Sequence, residues 1–212
     1  MRKKDFGLWQ GYTWKDYYEH VKYFCLGLVS LGLERDDHVA IIGDNEPHWY
    51  FADLAVQSAG GIAVGIYTDS AAPEVKYIVG HSDSKFVVAK DQEQVDKMLA
   101  IKDDLPLLRK VIYWDPRGLW DYDDPILIGF PEVEEMGRKY EEAHPGIFEQ
   151  LVEQGKADDI CLLMYTSGTT GEPKGALITH KGLIATTQMS ELGIEFNEND
   201  TAFSCLLYTS DA

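Results

Sequence analysis

The residues best equipped for chemistry lie between Thr166 and Gly175. Thr166, Ser167, Thr169 and Thr170 supply hydroxyl donors, and Lys174 supplies a mobile positive charge suited to phosphate. Gly168, Gly171 and Gly175 can take up positive φ and let backbone N–H groups approach an anion with no Cβ in the way. Pro173 limits the freedom of the segment that presents Lys174. This composition fits a polyphosphate. It is not a Walker loop: counting from Gly168, Pro173 stands where the second Gly belongs, and Gly175 follows Lys174 where a hydroxyl should bind magnesium. Nor is it an acyl-hydrolase elbow, since Tyr165 and Thr169 occupy the two glycine positions around Ser167.

Such a loop needs rigid neighbours. The run Ile160 to Tyr165 is short and continuously apolar, which predicts a strand buried on both faces, with the loop at its carboxyl end. Ala176 to Thr179 predicts a short returning strand and Lys181 to about Leu192 a helix. His180 adjoins both, and no acid or nucleophile ties it to a role.

Upstream, strands and helices alternate. Thr13 followed by Asp16 predicts a helix start, Tyr17, Val21, Phe24, Leu28 and Leu31 recur at helical spacing, and Gly32 is the stop. His38 to Ile42 reads as a strand, Gly43-Asp44-Asn45 as a turn, and Pro47 to Ala59 as a helix ended by Gly60-Gly61. Ile62 to Tyr67 is a second strand, followed by a helix that opens near Pro73 and closes near Gly80. Phe86 to Ala89 gives a third strand, Gln92 to Ile101 a helix and Val111 to Trp114 a fourth strand. The pattern predicts an α/β fold of alternating βα units forming a mainly parallel sheet flanked by helices, with ligands beyond the carboxyl ends of the strands. His48, alone among aromatics, reads as a packing or solvent-edge residue.

Residues 115–159 are the least regular. Asp121, Asp123 and Asp124 fall in a Pro/Gly-punctuated segment, and Glu132, Glu134, Glu135, Glu141 and Glu142 on a helix, which reads as a solvated acidic face. No His joins these carboxylates at ligand spacing, so no metal ligand is assigned.

Composition narrows the function classes. The 212 residues are 45% hydrophobic, ample for a core, and carry a formal charge of −17, which argues against nucleic acid as a partner. Cys25, Cys161 and Cys205 lie far apart and odd in number, supporting neither a disulfide framework nor a zinc site, and the expected setting is a reducing cytoplasm. Arg2, Lys3 and Lys4 precede an apolar stretch, Phe6 to Tyr12, too short and mixed for a signal peptide, and no run reaches membrane-spanning length.

The unbroken stretch Tyr165-Thr166-Ser167-Gly168-Thr169-Thr170-Gly171-Glu172-Pro173-Lys174-Gly175 resembles the signature loop of the adenylate-forming, AMP-binding ligases, which include acyl-CoA synthetases, amino-acid adenylation domains and luciferases. Gly43-Asp44-Asn45, the Trp49-to-Ala59 helix, Gly60 to Tyr67, His81 to Val88 and Asp158 to Leu183 look most like long-chain fatty acyl-CoA synthetases, and the similarity covers most of residues 7–204. The resemblance implies that residues 1–204 are a partial N-terminal AMP-binding domain of a longer enzyme. Residues 205–212 depart from the pattern: after Asp200 to Ser204 a Leu-Pro-Leu-x-His stretch is expected, and Cys205 to Ala212 do not supply it. The resemblance also implies that the adenine and ribose contacts, a magnesium-binding glutamate, the acyl pocket and a catalytic lysine of a small C-terminal domain fall beyond residue 212.

On that resemblance Thr166, Ser167, Gly168, Thr169, Thr170 and Gly171 cradle the β- and γ-phosphates of ATP. Gly175 completes the loop, and Lys174 is the catalytic residue that offsets charge on leaving pyrophosphate. Mg²⁺ and CoA are the implied cofactor and co-substrate, a long-chain fatty acid is the implied carboxylate, and peripheral membrane contact is compatible with such a substrate. Two other readings stand beside it: a non-catalytic ATP-binding fragment, and adenylation of a different carboxylate.

Overall fold

The computed structural model describes residues 1–166, 173–191 and 200. The chain opens with a hairpin, β1 (Arg2–Asp5) against β2 (Leu8–Gly11), turned at Phe6 and Gly7, both with positive φ. Sequence periodicity gave no sign of it, because the strands have four residues each. Helix α1 (Trp14–Ser30) starts at the expected capping box: Thr13 Oγ1 accepts from Asp16 N at 3.1 Å, and the Asp16 carboxylate accepts from Thr13 N at 2.8 Å.

From there the expected alternation is present: β3 (His38–Ile42), α2 (Pro47–Ser58), β4 (Ile62–Ile66), α3 (Ala72–His81), β5 (Phe86–Ala89), α4 (Gln92–Ile101) and β6 (Lys110–Tyr113). Residues 115–159, unassigned in detail from sequence, contain β7 (Leu127–Gly129), α5 (Phe130–Ala143) and α6 (Ile147–Glu153). Then come β8 (Ile160–Thr166), β9 (Lys174–Thr179) and α7 (His180–Glu191). His180 thus opens α7, its N–H donating to the Asp159 carbonyl at 3.1 Å.

The larger sheet runs β7-β6-β5-β3-β4-β8-β9, parallel throughout except for the β8–β9 pair. Strand side chains alternate between two cores. On one face Val39, Ile41, Phe86, Val88 and Ile112 meet α1, α2, α5 and α6; on the other Ala40, Ile42, Val64, Val87 and Val111 meet α3 and α4. On the first face α1 and α5 touch through glycine. Phe24 and Phe130 stack with centroids 3.8 Å apart, while a Cβ on Gly137 would lie 1.8 Å from the Tyr23 carbonyl oxygen.

Two expectations need correction. Strand β8 is buried on one face only: Cys161, Leu163 and Tyr165 are buried, whereas Met164, between them, is 48% exposed. The opposite face is covered only in part: Leu162 is half-buried against the core that includes α2, and Met164, two residues on, is exposed among the described residues. A continuously apolar run does not report which neighbour covers it. The acidic face of α5 is likewise only partly solvated: Glu132, Glu135 and Glu142 are exposed, but Glu134 is buried and meets His20 Nδ1 at 2.5 Å.

Candidate functional site

Strand β8 ends at Thr166, on the carboxyl side of the sheet, and β9 returns beside it. The register pairs Tyr165 with Gly175 and Thr166 with Lys174. Lys174 and Gly175 therefore belong to the returning strand, which begins two residues earlier than expected. The hairpin closes the loop with Thr166 and Lys174 at its mouth, both exposed. Ser167, Gly168, Thr169, Thr170 and Gly171, the rest of the sequence-assigned set, lie outside the described residues.

Gly175 has a packing reason for its identity. A Cβ there would lie 2.7 Å from Leu163 Cδ1 and 3.5 Å from Tyr165 Cζ, so its absence lets β9 lie flat beside β8. Tyr165 points into the core shared with α3. Burial, and then proximity to Tyr77, pushes its phenol above the ordinary value, so the hydroxyl keeps its proton.

Two residues of α3 reach the hairpin, and sequence reasoning gave neither a role. His81 Nδ1 is 2.6 Å from Tyr165 Oη, and the Tyr77 hydroxyl donates to the Pro173 carbonyl at 3.2 Å. Tyr77 and His81 stand four residues apart, one turn along the helix, and their rings stack at 5.3 Å. That spacing was the available signal.

The other crevice that an open parallel sheet offers is closed. Connections leave β3 and β5 for opposite faces, and ligands commonly enter at such a point. Here Lys90 pairs with Asp44 and with Glu46 at 3.3 Å, Lys3 reaches Glu46 at 2.8 Å, and Trp114 Nε1 donates to Glu46 at 3.2 Å. Ion pairs fill that gap, and at the β8 end the described residues Thr166 and Lys174 stand side by side.

Among the described residues no group of three or more His, Cys, Asp or Glu is placed to hold a metal ion. Cys25 and Cys161 are buried free thiols whose burial pushes their titration up, Cys25 to about 12, so neither is poised as a nucleophile. No helix among the described residues is long and apolar enough to cross a membrane.

This arrangement has counterparts in known proteins. A family described as AMP-binding enzyme matches residues 3–210. The chain is 32% identical over 190 residues to the long-chain-fatty-acid–CoA ligase ACSBG2 of Xenopus laevis, covering 90% of this chain and 25% of that protein. It thus spans about a quarter of the length of the curated relatives it matches. Among solved structures, the inhibitor-bound N-terminal domain of FACL13 from Mycobacterium tuberculosis superposes with a TM-score of 0.67 at 26% identity, over 92% of this chain and 43% of that one. The anthranilate CoA ligase AuaEII in complex with anthranoyl-AMP has the same fold, with a TM-score of 0.67 at 22% identity over 85% of this chain and 32% of that one. A mostly parallel sheet flanked by helices, the hairpin-closed loop and a match over residues 3–210 lead to one assignment: the chain belongs to the AMP-binding enzyme family.

Proposed function

We propose that the chain forms the phosphate-binding side of an ATP-dependent carboxylate:CoA ligase. In this reaction a carboxylate oxygen attacks the α-phosphorus of ATP and pyrophosphate leaves; the CoA thiol then attacks the acyl carbon and AMP leaves. Catalysis of this type rests on positioning and on stabilising charge as it develops. Thr166 to Gly171 cradle the β- and γ-phosphates with backbone N–H groups and hydroxyls, and Lys174 offsets charge on the departing pyrophosphate. The observation that carries the reading is the register pair that brings Lys174 beside Thr166 at the carboxyl end of β8.

The carboxylate we assign is a long-chain fatty acid, supported by the name of the Xenopus relative, and the setting a reducing cytoplasm, supported by two buried free thiols. Magnesium accompanies ATP as its counter-ion. Residues 1–204 are read as part of a larger AMP-binding domain, and residues 205–212 as a tail that lacks the expected Leu-Pro-Leu-x-His stretch, although the family match runs on to residue 210.

A second reading, a nucleotide-binding module without turnover, rests on the same hairpin, whose hydroxyl and lysine can hold phosphate with no reaction following. Incubation of the complete protein with MgATP, palmitate and CoA separates the two. AMP release that depends on palmitate supports the ligase; saturable MgATP binding without AMP release supports the module.

A further inference from the structure

We propose that Tyr77 and His81 are positioning residues that clamp both ends of the 166–174 loop from α3 and so hold Lys174 in place. The consequence for nucleotide rests on the phosphate-binding reading above; the clamp itself does not.

Tyr165 directly precedes Thr166, and Pro173 directly precedes Lys174, so the two hydrogen bonds from α3 land on the last residue before each side of the loop mouth. The two α3 side chains are themselves coupled. Their rings stack at 5.3 Å, and Tyr77 also meets the Tyr165 ring edge-on at 6.4 Å. Each therefore limits the rotamers of the other.

The returning strand needs such a tether. Among the described residues β9 is the terminal strand of the sheet, and Lys174, Gly175, Ala176 and Leu177 are all exposed, so little packing from them restrains its first residues. Pro173 lies before β9 and brings no N–H to the ladder. Its carbonyl, held by the Tyr77 hydroxyl, fixes the path of the chain into Lys174. Without that bond the hairpin end pivots on the β8–β9 ladder alone. The clamp thus converts the position of a helix into the position of a lysine.

The test is limited trypsin digestion of the 212-residue chain, reading cleavage after Lys174 relative to cleavage after the exposed Lys156. Tyr77→Phe removes one hydroxyl and keeps the ring, His81→Leu removes the bond to Tyr165, and His81→Asn keeps a polar group at the Nδ1 position. We expect the ratio to rise about fivefold in Tyr77→Phe and His81→Leu, the opening that follows loss of one neutral hydrogen bond, and to return near wild type in His81→Asn. Global unfolding would raise both cleavages together and leave the ratio unchanged. An unchanged ratio in a folded Tyr77→Phe overturns the clamp, whatever His81→Leu does. Calorimetric titration with MgATP completes the experiment. Weaker binding by Tyr77→Phe than by wild type extends the clamp to the nucleotide, whereas no binding by wild type counts against the phosphate reading and leaves the clamp to the cleavage ratio.

Discussion

Thr166 and Lys174 are direct partners across the β8–β9 hairpin, eight residues apart in sequence and side by side in the ladder. That pairing turns a polar loop into a closed one, with a cation fixed on its rim. It also explains why Gly175 must be small: the next pair, Tyr165 with Gly175, brings β9 against the Leu163 and Tyr165 side chains.

The contact of α1 with α5 predicts opposite signs for two glycine substitutions. Gly137→Ala places a methyl against the Tyr23 carbonyl and Gly27 N, backbone atoms that move only with the helix. A net loss of about 1–2 kcal/mol is expected, overpacking outweighing the helix-propensity gain. Gly80→Ala, on the exposed side of α3, meets only Leu105 Cδ2 at an ordinary 3.5 Å. It should stabilise by a few tenths to about 1 kcal/mol. Urea midpoints of both variants check the pair of signs.

His48 is half-buried among Phe51, Trp114 and Phe130, its Nδ1 buried with no hydrogen-bond partner among the described residues. Burial first, then the charges of Lys3 and His20, lower its pKa from 6.5 to about 4, against the opposing pull of Glu46 and Asp115. The folded state thus binds this proton less readily than the unfolded chain. The stability involved is fully present above pH 6.5 and is lost as pH falls toward 4, by about 2–3 kcal/mol at pH 4.5. Urea midpoints at pH 7.5 and 4.5 should fall further in wild type than in His48→Phe; equal falls would refute the assignment.

Asp53 has the opposite sign. Burial raises its carboxyl from 3.8 to about 6, a rise only partly offset by the hydrogen bond from Gln57 Nε2 at 3.0 Å. The stabilisation associated with its proton is present below pH 3.8 and is lost as pH rises through 6. Asp53→Asn keeps an acceptor for Gln57 and removes the charge. It should be more stable than wild type by about 1–2 kcal/mol at pH 7.5 and nearly equal to it at pH 4, a magnitude discounted for partial solvent access. Thermal melts at the two pH values check it.

What the sequence made legible was local. The capping box at Thr13 and Asp16, the strand runs His38–Ile42 and Phe86–Ala89, and the composition of the loop after Tyr165 are each written within a dozen residues. What it hid was tertiary. Nothing in Ile160–Tyr165 says that Met164 will be exposed between buried neighbours, and nothing around Glu134 says that it will be buried and meet His20, 114 residues earlier. Tyr77 and His81 look like an ordinary helical pair until β4 and β8 turn out to be neighbours, which brings the helix after β4 to Tyr165 and Pro173. The hairpin β1–β2 escaped because four-residue strands carry too little periodicity to stand out.

The most direct test of the central claim is calorimetric titration of the wild-type chain and of Lys174→Ala with MgATP, with thermal melts to verify that both are folded. Lys174 is exposed on the rim of the hairpin, so its loss should leave the fold unchanged. The account predicts saturable binding by wild type and affinity lower by about tenfold in Lys174→Ala, the effect of one charge-assisted contact to phosphate. Equal affinities for the two folded proteins, or no saturable binding by the wild-type chain, would contradict it.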